Sequence, residues 1–545
     1  MREKIKEKKY EKRLISIITA ASMVCTMPAG TFAADTESTQ DGGEITIATV
    51  SSTGGLDPAG FALDMWTEYA KLCTDGLVSY DSEGNLIYES AESVDTSDDG
   101  LVWTFHLREN QWSDGSDVTA ADFVNTIDRA LDPNNGNAIY ANMLFNISGA
   151  EEYNSGEGTL EDVKAVAVDD QTLEITLDAP CSYFLKMMSM PVFYPSKEGA
   201  ATNENETWWQ DPATSLGNGA FTLESYTDGV GYTVVKNPYY YQADKVSLDK
   251  INVQFISDQT ALLSAYQTGE VDVVTGLPDY VKDQYTEEDG LFIWTMLTSK
   301  FMLPNLSVAP LDNEQVREAI ALALSRQQIC DVIGSDYIPS VNYVAEYMLS
   351  NSSDQYFKDE QDPLFEENTE KAQELLAEAG YPNGDGFPTL TYKYPNSEKD
   401  SLMAQAIQAQ LKSVLNINIE LVGEEDEVYA QDKKDGNYEL IRHSWTADYN
   451  DPINFLNLYT SDSTSNYNGV ADAAFDEAIA NSNATDDQAE RNQYLHEAQN
   501  ILVSENFYVI PVVTQVYICL INPSISNVTT NDKGEPMYRF ATLAQ

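Results

Sequence analysis

Histidine and cysteine are nearly absent from this chain, which has three of the first and five of the second in 545 residues. His106, His443 and His496 are widely separated, and Cys73, Cys181, Cys330 and Cys519 have no close neighbours of their kind. Structural and catalytic metal sites need clustered imidazole and thiolate ligands, so no metal and no cofactor is expected. Buried free thiols are expected at the four later cysteines, with one disulfide between distant positions as the alternative in an oxidising compartment. Basic residues are scarce too, 31 Lys and Arg against 88 Asp and Glu. Without residues 1–33 the balance is 24 against 85, a net charge of −61. That field disfavours nucleic acid and anionic lipid as partners. After the N-terminal segment no run reaches the roughly 18 consecutive apolar residues of a membrane helix. There is no G-x-S-x-G elbow for a serine hydrolase, and no repeat of about 20 to 50 residues that would mark a solenoid.

What is present begins with an address. Met1 to Arg13 is rich in Lys and Arg, Leu14 to Met27 is a short apolar run, and Thr31, Phe32 and Ala33 offer small residues at the cleavage subsites. This pattern predicts a secretory signal peptide over 1–33, cleaved near Ala33 or Ala34. Cys25 raises lipidation as the alternative, against which stands the bulk of Val24 before it. Residues 34–43 are small and polar and read as a linker. A chain this long exceeds the roughly 250 to 300 residues at which one core stops growing, so two or more lobes are expected.

Along the mature chain Glu44 to Val50 alternates as a strand, and Phe61 to Leu72 reads as a short helix. Gly76 to Tyr80 and Leu86 to Tyr88 flank the turn Asp81, Ser82, Glu83, Gly84 and predict a hairpin. Thr119 with Asp122 three residues later resembles a capping box and places a helix start near Ala120. Beyond Leu303 helices alternate with strands: Val316 to Ile333 and Thr369 to Ala379 have helical spacing. Leu390 to Tyr394, Leu402 to Leu415 and Ile417 to Val422 spell strand, helix, strand, a parallel pair with a right-handed crossover. Ala471 to Ala480 and Gln488 to Leu502 read as late helices, and Phe507 to Leu520 as a closing strand.

The segment ELIRHSWTADYNDPINFLN, residues 439–457, combines an apolar strand with a turn cluster at Asn450, Asp451 and Pro452. Asp448 therefore stands at a strand end, three residues after Trp445. A carboxylate beside an apolar wall, where the dielectric is low, is suited to hold one compact cation such as an ammonium. The plainer alternative is that Asp448 caps the turn and Trp445 is core.

WTADYNDPINFLNLYTSDSTSNYNG resembles the segment that supplies the amine-binding aspartate in oligopeptide-binding proteins of ATP-binding-cassette importers. The long run from Asp75 to Val124, DGLVSYDSEGN through DVTAADFV, is similar to a signature of that family of extracellular solute-binding proteins, family 5. DDQTLEITLDAP, LGNGAFTLESY and TGEVDVV are similar as well. The resemblance implies an α/β, two-lobed periplasmic-binding-protein-like fold of type II, with an extra inserted subdomain and hinge crossovers. Lobe I would be 44–74, 212–303 and 511–545, the inserted subdomain 75–211, and lobe II 304–510. It implies a non-enzymatic monomer that closes over a peptide and delivers it to a membrane permease and its ATPase. Asp448 would hold the amino terminus, with Trp445, Ser444, Thr446 and Tyr140 also lining the ligand. Arg442, Lys433 and Lys399 are candidates for the ligand carboxylate, Arg442 foremost because its fork matches a carboxylate. Two departures stand out. Val513, Thr514 and Gln515 replace family tyrosines, and Asp400 lies near a family histidine, which leaves peptide length and the carboxylate end open. Other solutes, such as nickel chelates or glycans, are the alternative within the fold. A secreted hydrolase using Asp448 and Asp451, or a surface adhesin, are the alternatives outside it.

Overall fold

The computed structural model describes residues 39–40, 42–50, 57–60, 69, 72–278, 280–334, 336–351 and 355–544. The signal segment, most of the linker and nearly all of the helix expected over 61–72 lie outside the described residues. One unit spans Gln40–Ala544. Among the described residues no helix is long and apolar enough to cross a membrane.

The frame is an eleven-stranded mixed sheet that runs through two halves of the molecule. One half is built on Glu44–Thr49, between Val273–Thr275 and Lys250–Phe255, and extends to the antiparallel strands Gly231–Lys236 and Phe221–Thr227. The other contains Leu390–Pro395, paired in parallel with Ile419–Glu424 on one side and Leu440–Thr446 on the other. The intervening helix Glu398–Leu415 makes this the strand, helix, strand unit that the spacing predicts. Its buried Met403, Ala404, Ile407, Leu411 and Leu415 recur at helical intervals, so one face packs on the sheet.

Two long strands, Leu291–Pro304 and Ile510–Ile521, belong to both halves. Their ladder pairs Leu291 with Leu520 and Trp294 with Tyr517, then slips before resuming at Thr298 with Gln515. Leu297, inside the slip, takes φ 54°. A bulge weakens the ladder locally, and this one falls between the stretch near Ile521, which also pairs with Val273, and the stretch from Thr298, which also pairs with Thr446. The second half has its own core, with Leu311, Ile320, Ile407, Leu411 and Leu440 fully buried.

A separate four-stranded antiparallel sheet is formed within the first half by Ala91–Thr96, Val102–Leu107, Thr172–Thr176 and Ala165–Asp169, in that order. The helix Ala120–Leu131 covers it, opened by the Thr119–Asp122 capping box and burying Phe123, Ile127 and Leu131. The hairpin Val78–Tyr80 with Leu86–Tyr88 also forms. Cys73, Cys181, Cys330 and Cys519 are all buried. Among the described residues no group of three His, Cys, Asp or Glu could hold a metal.

Two segments depart from the sequence expectation. The helix over 316–333 breaks into Glu314–Leu322 and Arg326–Ile333. The fully buried Arg326 guanidinium takes the carbonyls of Ala321 and Leu324 at 3.4 Å and of Pro511 at 2.9 Å, so a side chain satisfies what the helix gives up. A helix also forms at Asp426–Asp435, whose single buried residue, Tyr429, left almost no apolar period to see.

Candidate functional site

Leu440–Thr446 ends at the turn that carries Asp448, and a side chain six residues on organises the region. Asn454 Oδ1 accepts the Trp445 indole N–H at 2.8 Å and the Asp448 backbone N–H at 3.2 Å, while its amide donates to Asp448 Oδ2 at 3.4 Å. The Tyr140 hydroxyl donates to the same carboxylate. Asp448 is 5% exposed. Burial pushes its carboxyl above the ordinary carboxylate range, opposed by Asn454, Lys533 and Tyr140. It lines a cavity of about 340 Å³ with Tyr80, Asp532, Lys533 and Phe540, within the roughly 300 to 1,000 Å³ typical of ligand sites.

The turn itself is anchored from below. Asp451 accepts both forks of Arg491 at 2.9 Å, and neither side chain is more than 1% exposed. Arg491 lies over the Tyr183 ring, which stacks on Tyr449 at 5.9 Å. Lys186, on the short helix Phe184–Met187, donates to the Asn450 carbonyl and to Asn351, each at 2.6 Å.

The structure brings Asp448, Trp445 and Tyr140 together, while Arg442, Ser444, Thr446, Lys399 and Lys433 are engaged with other groups of the protein. Arg442 departs from the expectation of an open anion site. Its Nε and Nη2 hold Asp400 at 2.7 and 2.8 Å, and Nη1 donates to Ser444 Oγ at 3.0 Å. Lys300 approaches the same Asp400 at 3.6 Å. The candidate carboxylate cation thus already grips a carboxylate of the protein, the residue the sequence marked as a departure. Lys399 is tied to the Ile333 carbonyl at 2.7 Å and to Asp336 at 3.1 Å. Thr446 shares a hydrogen bond with Thr298 across the ladder at 2.9 Å. Lys433 sits over the rings of Tyr467 and Tyr429, at 4.9 and 5.6 Å, with burial pulling its ammonium down to about 8.

Sequence reasoning missed Asn454, Lys533, Asp532 and Lys186. Asn454 lies within residues 439–457, but its role needs three partners in space. The others are 80 or more residues from Asp448 in sequence and left no signal.

The family described as bacterial extracellular solute-binding proteins, family 5 middle, matches residues 85–467. The chain belongs to that family. This solute-binding protein is 30% identical over 480 residues to the dipeptide-binding protein DppE of Bacillus subtilis, covering 88% of this chain and 87% of the relative. Among solved structures it is similar to an unliganded open form of MppA, a periplasmic murein tripeptide-binding protein. There the TM-score is 0.78 with 26% identity, over 95% of this chain and 99% of that one. It is likewise similar to Listeria monocytogenes OppA bound to peptide, with a TM-score of 0.73 and 26% identity over 93% and 100%. The family and these folds agree with the two-lobed α/β architecture expected of this solute-binding protein.

Proposed function

We propose that this solute-binding protein captures extracellular peptides by their amino terminus on Asp448 and hands them to an importer's permease and ATPase, without turnover. The observation that carries this reading is Asp448 itself, a carboxylate withdrawn from water yet lining a cavity, without an ion pair among the described residues. An ammonium would supply the ion pair that this carboxylate lacks. The relatives, a dipeptide-binding protein and an OppA bound to peptide, support the ligand class. The basic and apolar start of the chain supports export. Native mass spectrometry of the purified protein tests the reading. We expect bound peptide masses, either carried through purification or taken up from a defined peptide mixture. If no peptide from such a mixture binds, the reading is wrong.

In this reading residues 304–510 form the lobe that closes against the rest, bending where the two long strands slip register. Saturation with peptide should then reduce the radius of gyration in small-angle scattering. Lys186 would act as a clasp on the Asp448 turn. Lys186→Ala should weaken peptide affinity by roughly tenfold, since closure would then gain no charge-assisted hydrogen bonds from Lys186 to the Asp448 turn. A radius unchanged at demonstrated saturation would remove the hinge.

A further inference from the structure

Asp448 shares its cavity with a second carboxylate from the far end of the chain. The C-terminal hairpin pairs Thr529 with Met537 and Thr530 with Pro536. Its turn is held by Gly534 N–H on the Asn531 carbonyl at 2.9 Å and by the Asn531 amide on Glu535 at 2.7 Å. The tip lies on the turn that carries Asp448. Asn450 donates to the Asp532 carbonyl at 2.6 Å, and Lys533 Nζ to the Asp448 carbonyl at 3.4 Å. This docking puts Asp532 on the wall of the Asp448 cavity.

Asp532 makes no ion pair among the described residues. Burial pushes its carboxyl up to about 6, with Lys533 and Lys186 pulling it down and Glu535 adding to the rise. The other cation on the cavity wall, Arg539, is already committed to Asp75 and Glu89, each at 2.9 Å. Among the described residues of the cavity wall, that leaves Lys533 as the cation for Asp81, Asp448, Asp532 and Glu535, with Lys186 acting on Asp532 from outside the wall. One ligand ammonium leaves this wall still negative.

We propose that Asp532 is a second cation-binding group in the cavity, so that the protein selects peptides whose first residue has a cationic side chain, such as lysine or ornithine. The proposal rests on the reading that Asp448 holds the amino terminus. The α-ammonium would meet Asp448, and the side-chain ammonium would reach the hairpin carboxylate.

Calorimetry with Lys-Ala-Ala and norleucine-Ala-Ala isolates the side-chain charge, because norleucine keeps the carbon chain and lacks the amine. At neutral pH the wild-type protein should prefer the lysine peptide by roughly tenfold or more, as a charge-assisted hydrogen bond would give. Asp532→Asn should bind the two peptides within about twofold of each other, and a thermal melt by circular dichroism matching the wild type shows that the variant is folded. Asp532→Glu, which keeps the charge, should keep the lysine preference. Equal affinities in the wild type, or a preference that survives Asp532→Asn, would overturn the proposal. Binding of neither tripeptide by the wild type would instead strike at the peptide reading, and this proposal would go with it.

Discussion

Asp448→Asn should lower affinity for a free-amine peptide by at least roughly thirtyfold. Truncating one partner of a desolvated, hydrogen-bonded charge pair costs on the order of 2 to 5 kcal/mol, and about 1.4 kcal/mol is a factor of ten. The substitution keeps the shape and can keep contacts to Asn454 and Tyr140, so the charge is what is tested. An N-acetylated peptide has no ammonium, and its weaker binding should barely change in the variant. Calorimetry on the four combinations closes a double-mutant cycle. Coupling under about 0.5 kcal/mol, the usual error of additivity, would make Asp448 a turn cap and put the amine elsewhere. The pH dependence has a definite sign. Burial holds the Asp448 carboxyl above the ordinary carboxylate range, and only the ionised form pairs with an ammonium. Affinity should therefore fall as pH drops through that raised value, starting at higher pH than an exposed aspartate would give. In Asp448→Asn this component of the pH profile should vanish.

Arg491→Met should destabilise the fold by about 3 to 5 kcal/mol, the cost of leaving a buried charge without its partner. Asp451 would keep Asn351 at 3.0 Å and the Ile453 N–H at 3.0 Å, but its nearest remaining cation would be Lys186, at 3.9 Å. Denaturant unfolding of both proteins measures the loss, and a change under 1 kcal/mol would show that the pair contributes little. Adding Asp451→Asn should restore part of the loss, because it removes the orphaned charge. Acid titration checks the same pair. Burial alone would raise the Asp451 carboxyl, but Arg491 and Lys186 outweigh it and hold it below its ordinary value. Its contribution is therefore present above the unfolded value near 3.9 and is lost as pH falls through the lower folded value. Without Arg491 the larger of the two opposing charges is gone and the folded value rises, so the stability gap between variant and wild type should narrow on acidification.

Local pattern determined much of this protein. The Thr119–Asp122 box starts its helix at Ala120, and the parallel pair around Glu398–Leu415 follows from strand and helix periods that lie next to each other in sequence. The strand end at Thr446 and the turn at Asn450, Asp451 and Pro452 were legible for the same reason, and with them the position of Asp448 beside Trp445. These features depend on residues a few positions apart, so the chain displays them before it folds. The resemblance of the 445–469 segment and of the Asp75 run pointed to the family.

Tertiary structure decided what charge and burial make of those positions. A helical period continues through 323–325, yet the helix breaks there because Arg326 finds carbonyls near and far, one of them 185 residues away. Arg442 looked like a free fork on a strand, but Asp400, 42 residues earlier, occupies it. The cavity wall facing Asp448 comes from a hairpin 85 residues later. A sequence states which groups can ionise. Which of them meet, and which are left buried without a partner, depends on contacts made only when distant segments pack, and the site's chemistry lies in those contacts.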